Sequence, residues 1–304
     1  MQEINIHLGV QSFRALREQQ QYYVDKTGFI GEFLRGVPPQ VSFIARPKGF
    51  GKSLMLSMLQ EFFDKTKDSR ALFDGLAVAK DTALCEEWMN RFHVIFLSFS
   101  GIKGRTFAEA LDCFKLLAAS LCSQYSWLLE SPAVDKLHKT VIDAVQKRTA
   151  DKVMLRFILA MLCEAVYQDS GEYPVILIDE YDAPLAEIRP GEEYEELSCF
   201  IRALLETGLK TNTLFRFAVV TGCLPPAEHR IYDLNNWAIF DGDAVHFTDK
   251  FGFTSAEVDE LLAALNMQGE KESVEKSCSA VCFGRHKMYC PKDILLHLHK
   301  AELI

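Results

Sequence analysis

Gly49, Gly51, Lys52 and Ser53 crowd into one short stretch, and Asp179 and Glu180 follow one another far downstream. Each group has chemistry to offer. Glycines carry no Cβ, so backbone N–H groups can turn toward an anion. Lys52 brings a point charge suited to the β- and γ-phosphates, and the Ser53 hydroxyl can ligate Mg²⁺. Asp179 can hold Mg²⁺ through water or directly. Glu180 can orient an attacking water and take its proton. Together these residue types could bind a nucleotide and cleave its phosphoanhydride.

Such residues need elements to place them. Val41-Ser42-Phe43-Ile44-Ala45 is an apolar run of strand length, and from Leu54 to Phe63 apolar residues recur at helical spacing. Strand, glycine turn, Gly-Lys-Ser and helix is the context of a phosphate-binding P-loop, or Walker A sequence. The helix start adds free N–H groups and the positive end of a dipole. The loop lacks the usual first glycine, which is Arg46 here. Residues expected to hold the nucleotide are Arg46, Pro47, Lys48, Gly49, Phe50, Gly51, Lys52, Ser53 and Leu54. In the empty loop Lys52 is expected to face solvent.

Val175-Ile176-Leu177-Ile178 reads as a central parallel strand covered on both faces, and Asp179-Glu180 closes it as a Walker B sequence would. Open α/β sheets bind ligands at that end. A strand ending in a solvated acidic turn is the plainer alternative for Asp-Glu alone. Phe215 to Gly222 is another predicted strand, and Thr221 at its end could reach the γ-phosphate or the lytic water. His93 to Phe99 is a further strand, and helices are expected over about 106–127, 133–147, 151–169 and 192–210.

The N-terminal segment holds Tyr23-Val24-Asp25-Lys26-Thr27 and then a predicted helix with Phe29, Ile30, Phe33 and Leu34 on one face, capped by Asp25 or Thr27. It must lie beside the pocket or over the sheet edge. Packing is the preferred role of Tyr23 to Lys26, with contact to a nucleotide base as the alternative. From Phe251 the character changes, and Thr254-Ser255-Ala256-Glu257 should cap an amphipathic helix. The predicted organisation is a P-loop core over 1–247 and a small helical lid over 248–304.

Composition sets outer bounds. The chain has 304 residues, is 49% hydrophobic and 25% charged, and carries a net charge of -9. That charge gives no support to a nucleic-acid partner. Neither a signal peptide nor a membrane-spanning run is expected, and nine scattered cysteines fit reduced thiols in the cytoplasm. Cys278, Cys282, His286 and Cys290 recur every four residues, a stripe that zinc could use on a helix, but Gly284 interrupts it and packing is preferred.

Seven segments occur together in order: Tyr23–Thr27, Arg46–Leu54, Leu177–Leu185, Leu209–Asn212, Thr221-Gly222, Leu234–Asn236 and Phe251–Thr254. In this the chain resembles the AAA-ATPase-like family of bacteria and archaea, P-loop ATPases of unsettled role. The resemblance implies an AAA-like α/β fold, a parallel sheet flanked by helices with a C-terminal lid. It also implies ATP and Mg²⁺, with Lys52, Ser53, Asp179 and Glu180 in the roles above. Arg-Pro is usual in the family where Arg46 and Pro47 stand. Gly49, however, replaces a second basic residue, and Leu224 to Arg230 replaces a basic, serine-containing stretch. The second departure bears on phosphate sensing and hydrolysis rate more than on binding. Relatives often continue into a nuclease-like domain of the PD-(D/E)XK type, which is not expected here because the chain stops at Ile304. The readings in competition are an ATPase acting on a partner, a nucleotide-gated switch or scaffold with little turnover, and a DNA-associated defence or mobile-element module. A homo-oligomer, and a separate protein partner or nuclease-like domain, remain open.

Overall fold

A computed structural model describes residues 5–36, 38–229, 231 and 236–300. Five strands form a parallel sheet: β1 (Val41–Ala45), β2 (Val94–Ser98), β3 (Val175–Asp179), β4 (Ala218–Gly222) and β5 (Trp237–Phe240). Their order across the sheet is β2-β3-β4-β1-β5. Because every pair is parallel, the ends of β1, β3 and β4 share one edge.

Both faces of the sheet are buried, as the continuous aliphatic strands require. On one face Ile176, Ile178, Ala218 and Val220 pack in a cluster with residues of the helices Phe107–Gln124, Lys136–Gln146, Lys152–Ser170 and Glu192–Leu205. On the other, Val175, Leu177, Phe217 and Val219 meet the helices Gly28–Arg35 and Lys52–Phe63. Phe217 lies 5.1 Å from Phe33 and 5.3 Å from Phe63 between ring centroids. Full burial of a side chain of this size stabilises the fold by about 1.5–3 kcal/mol. Local signals set the long helices. Asp151 accepts a hydrogen bond from Met154 N at the start of Lys152–Ser170, and Gly171 ends that helix at φ +69°.

Two parts of the chain differ from the sequence reading. Strand β5 is not among the predicted strands, although Trp237-Ala238-Ile239-Phe240 is an apolar run bounded by turn residues. It is four residues long, and its partner β1 lies far earlier in the chain. The region after residue 250 is also not purely helical. Helices Ser255–Ala264, Lys271–Ser277 and Pro291–Lys300 are joined by an antiparallel sheet of β6 (Phe253–Thr254), β8 (His286–Tyr289) and β7 (Val281–Phe283). Gly284, at φ +53°, makes the hairpin turn. Phe283 and Met288 of the hairpin join the core cluster around Phe50, while Val281, Cys282, His286 and Lys287 are exposed. Leu234 and Asn235 of the sixth quoted segment, and Arg230, lie outside the described residues.

Candidate functional site

The loop after β1 stays anchored to the sheet because Arg46 N donates to Gly222 O at 3.1 Å. The Arg46 side chain is fully buried and turns away from the loop. Its Nη1 donates to Ala45 O (2.7 Å), Phe240 O (2.8 Å) and Asp241 O (2.8 Å), and its Nη2 to Phe247 O (3.2 Å). The guanidinium carbon sits 4.7 Å from the Phe283 ring centroid and 5.4 Å from that of Phe251. Burial lowers the Arg46 pKa to about 10, with Asp241 acting the other way. Arg46 thus fastens the loop's root to β5 and to the hairpin β7–β8, while neither Arg46 nor Pro47 lines the cavity described below.

Gly49 and Gly51 hold φ of +89° and +86°, the left-handed conformation that glycine adopts without strain. Lys52 opens the helix Lys52–Phe63, whose N-cap Gly51 offers no side chain to the first N–H groups. Contrary to the expectation from sequence, Lys52 is only 3% exposed. Its Nζ donates to Arg46 O at 2.8 Å and Pro47 O at 3.1 Å, and lies 3.5 Å from Cys223 Sγ. The loop's inward carbonyls need donors, and an ammonium on the adjacent helix has three.

Ser98, Asp179 and Thr221 stand in a row across the ends of β2, β3 and β4. Asp179 Oδ1 accepts from Thr221 Oγ1 at 2.8 Å, and Oδ2 from Ser98 Oγ at 3.3 Å. Thr221 Oγ1 in turn accepts from Glu180 N at 3.2 Å. The partners of the Thr221 hydroxyl are therefore the two acidic residues themselves. Glu180 adopts φ +50°, an unusual backbone for a residue with a side chain. Burial pushes its carboxyl pKa up, seconded by Asp179, against the opposing pull of Lys52 and Lys48.

The turn continues into contacts that sequence reading missed. Asp182 Oδ2 accepts from Cys223 N (2.7 Å) and Leu224 N (3.2 Å) and lies 3.6 Å from His229 Nε2. Burial works against its charge, yet His229 and the two N–H groups hold its pKa below the usual carboxylate value. Tyr181 OH donates to Leu224 O at 3.2 Å. The segment after β4 is thus stitched to the turn after β3. Asp182 stood in plain view in Asp179-Glu180-Tyr181-Asp182, but only the fold shows what it holds.

Between the loop, residues 6–11 and 21–24, and the helix Pro291–Lys300 lies a cavity of about 510 Å³. That is within the range of about 300–1,000 Å³ typical of ligand sites. Gly49 to Met55 and Glu180 line it, as do Tyr22 and Tyr23. Lys26, Lys48, Lys52, Lys250 and Lys292 also reach it, and Glu180 is the one acid in its wall among the described residues. Lys26 is paired with Glu257, which also completes the capping box begun by Thr254, and Lys250 is paired with Glu32 and Asp249. The cavity is cationic although the chain carries a net charge of -9.

Cys278, Cys282, His286 and Cys290 do not share a helix stripe. Cys278 packs in the C-terminal cluster, Cys282 and His286 lie on the hairpin, and Cys290 packs against the glycine loop. Among the described residues no three His, Cys, Asp or Glu side chains are grouped to hold a metal. Among those residues, too, no helix is long and apolar enough to cross a membrane.

The fold and this site define an α/β protein with a cationic cavity at the carboxyl ends of its parallel strands, the place where such sheets take ligands. The chain belongs to the family described as predicted AAA-ATPase, whose profile matches residues 7–232. It is also similar to the "Uncharacterized protein in vnfD 5'region" of Azotobacter chroococcum mcd 1, at 26% identity over 306 residues. That match covers 99% of this chain and 53% of the relative, so the chain spans about half the relative's length. Membership of the family implies ATP binding.

Proposed function

We propose that the protein binds Mg²⁺-ATP in this cavity and hydrolyses it by in-line attack of water. The observation that carries the reading is the meeting, at one sheet edge, of a cationic glycine loop with a buried carboxylate and a carboxyl of raised pKa. The loop's N–H groups and Lys52 bind the phosphates and stabilise charge as it develops. Lys52 must leave the carbonyls of Arg46 and Pro47 at least in part to do so. Ser53 and Asp179 would hold Mg²⁺, which supplies charge neutralisation on the phosphates. Thr221 and Ser98 orient the Asp179 carboxyl by donating to it. Glu180, lining the cavity with a raised pKa, orients the water and accepts its proton. Tyr22 and Tyr23 and the helix Pro291–Lys300 wall the space left for the nucleoside.

One observation favours a slow-turnover switch as a second reading. Among the described residues no arginine lines the cavity, and Arg46 is committed to backbone carbonyls. A partner's contribution could then set the rate.

Thermal unfolding with and without Mg²⁺-ATP tests the reading. A ligand bound only by the native state adds about 2.7 kcal/mol at a hundredfold excess over Kd. The melting temperature should rise, and phosphate release should follow. No shift at millimolar Mg²⁺-ATP would sink the nucleotide reading. A shift without phosphate release selects the switch.

A further inference from the structure

Gly49 has no room for a side chain. A Cβ there would stand 2.8 Å from Cys290 Sγ and 3.1 Å from Lys292 Cβ, on a backbone already at φ +89°. The volume beside the loop at that point is taken by residues from the other end of the chain. Lys292 lies in the first turn of the helix Pro291–Lys300, and its aliphatic stem runs across Gly49, with Cδ 3.5 Å from the same point. Cys290 Sγ lies 3.8 Å from Lys48 O, so both residues seat on the loop.

The charge of Lys292 is uncommitted. Of the five lysines that reach the cavity, Lys26 and Lys250 are neutralised by acids. Lys292 is exposed, lines the cavity, and has no ion-pair partner among the described residues. A cation whose stem is pinned against a phosphate-binding loop and whose head has no acid partner is suited to a mobile anion.

We propose that Lys292 is a polyphosphate-binding residue that the C-terminal helix delivers onto the glycine loop, in the place where Gly49 can carry no side chain. The proposal rests on the nucleotide reading above. It has a structural corollary. Because the contact comes from the C-terminal helix, bound polyphosphate bridges that helix to the loop, and the loop senses the helix through its ligand.

The experiment is calorimetric titration of Mg²⁺-ATP and of adenosine into the parent, Lys292→Met, Lys292→Arg and Lys276→Met. Methionine keeps the stem that packs on Gly49 and removes only the charge. Lys276, paired with Glu272 on a different helix, controls for the loss of any one positive charge. Lys292→Met should bind Mg²⁺-ATP about tenfold more weakly, as expected for one lost charge-assisted contact. Its affinity should also depend less on salt. Adenosine binding should not change, Lys292→Arg should restore the ATP affinity, and Lys276→Met should match the parent. A parent that binds Mg²⁺-ATP and a Lys292→Met variant that binds it within twofold overturn this proposal alone. Equal weakening for ATP and adenosine also overturns it, because that marks a packing defect. A parent that binds no Mg²⁺-ATP overturns the nucleotide reading and this proposal with it.

Discussion

The loop after β1 and the turn after β3 lie at the same end of the sheet, with β4 between them, and their charged side chains are held by different means. Lys52 finds its oxygen acceptors within its own loop. Lys52 Nζ reaches back only six residues to Arg46 O and five to Pro47 O. The acidic turn is held from a distance. Asp179 takes its hydrogen bonds from Thr221, 42 residues away, and Ser98, 81 residues away. Glu180, in its left-handed backbone, is pinned through its N–H by the same Thr221. If the loop binds phosphate as proposed, its donors are backbone groups and a neighbouring lysine, all from one short stretch. The proposed proton acceptor, Glu180, takes its raised pKa from burial among several strands.

If that contrast holds, the two regions should fail differently. The largest effect is expected from Glu180→Gln. Glutamine keeps the shape but cannot take a proton, so turnover should fall by about 10²–10⁴ with ATP affinity retained. The parent carries a further signature. A base must be ionised to act, and the Glu180 pKa is raised. Activity should therefore decline, as pH falls, at a higher pH than the ordinary glutamate value of about 4.3. Single-turnover hydrolysis across pH checks both points. A Glu180→Gln enzyme as fast as its parent would remove Glu180 as the base.

Lys52→Ala should act on binding. Loss of a charge-assisted contact to phosphate should weaken Mg²⁺-ATP affinity about a hundredfold. The burial of Lys52 adds a cost that a solvent-facing lysine would not have. The carbonyls of Arg46 and Pro47 lose a donor, and stability without nucleotide should fall by about 1–3 kcal/mol. Titration calorimetry and urea denaturation separate the two effects. Unchanged affinity would show that the loop does not hold the phosphates.

The smallest of the three effects is expected from Thr221→Val, which removes one hydroxyl at constant shape. Asp179 Oδ1 and Glu180 N both lose a partner, so turnover should fall about tenfold, with the apparent affinity for ATP nearly unchanged. Steady-state kinetics gives the split. A rise in KM with kcat unchanged would place Thr221 in binding and erase the contrast between the two regions.

Much was legible from sequence because it is local. The run Val41–Ala45, the glycine turn and the helical spacing after Lys52 act within about twenty residues, and the structure has a strand, a left-handed turn and a helix there. The aliphatic run before Asp179 is a fully buried central strand. Backbone geometry, hydrophobic period and the reach of glycine are properties of short stretches, so sequence alone determined the strand, turn and helix around the loop. It also determined which acids end β3.

Tertiary structure decided where the side chains go. Arg46, which sequence reading assigned to the nucleotide, turns to the carbonyls of Phe240, Asp241 and Phe247 because β5 and the hairpin β7–β8 bring buried acceptors and aromatic faces to it. Lys52 folds inward to the carbonyls of Arg46 and Pro47, which have no other donor among the described residues. Thr221 meets Asp179 because β3 and β4 pair in one register. Lys292 reaches Gly49 because the C-terminal helix packs over the loop from the far end of the chain. A buried donor takes the nearest acceptor in space, and spatial neighbours in a doubly covered sheet are seldom neighbours in sequence.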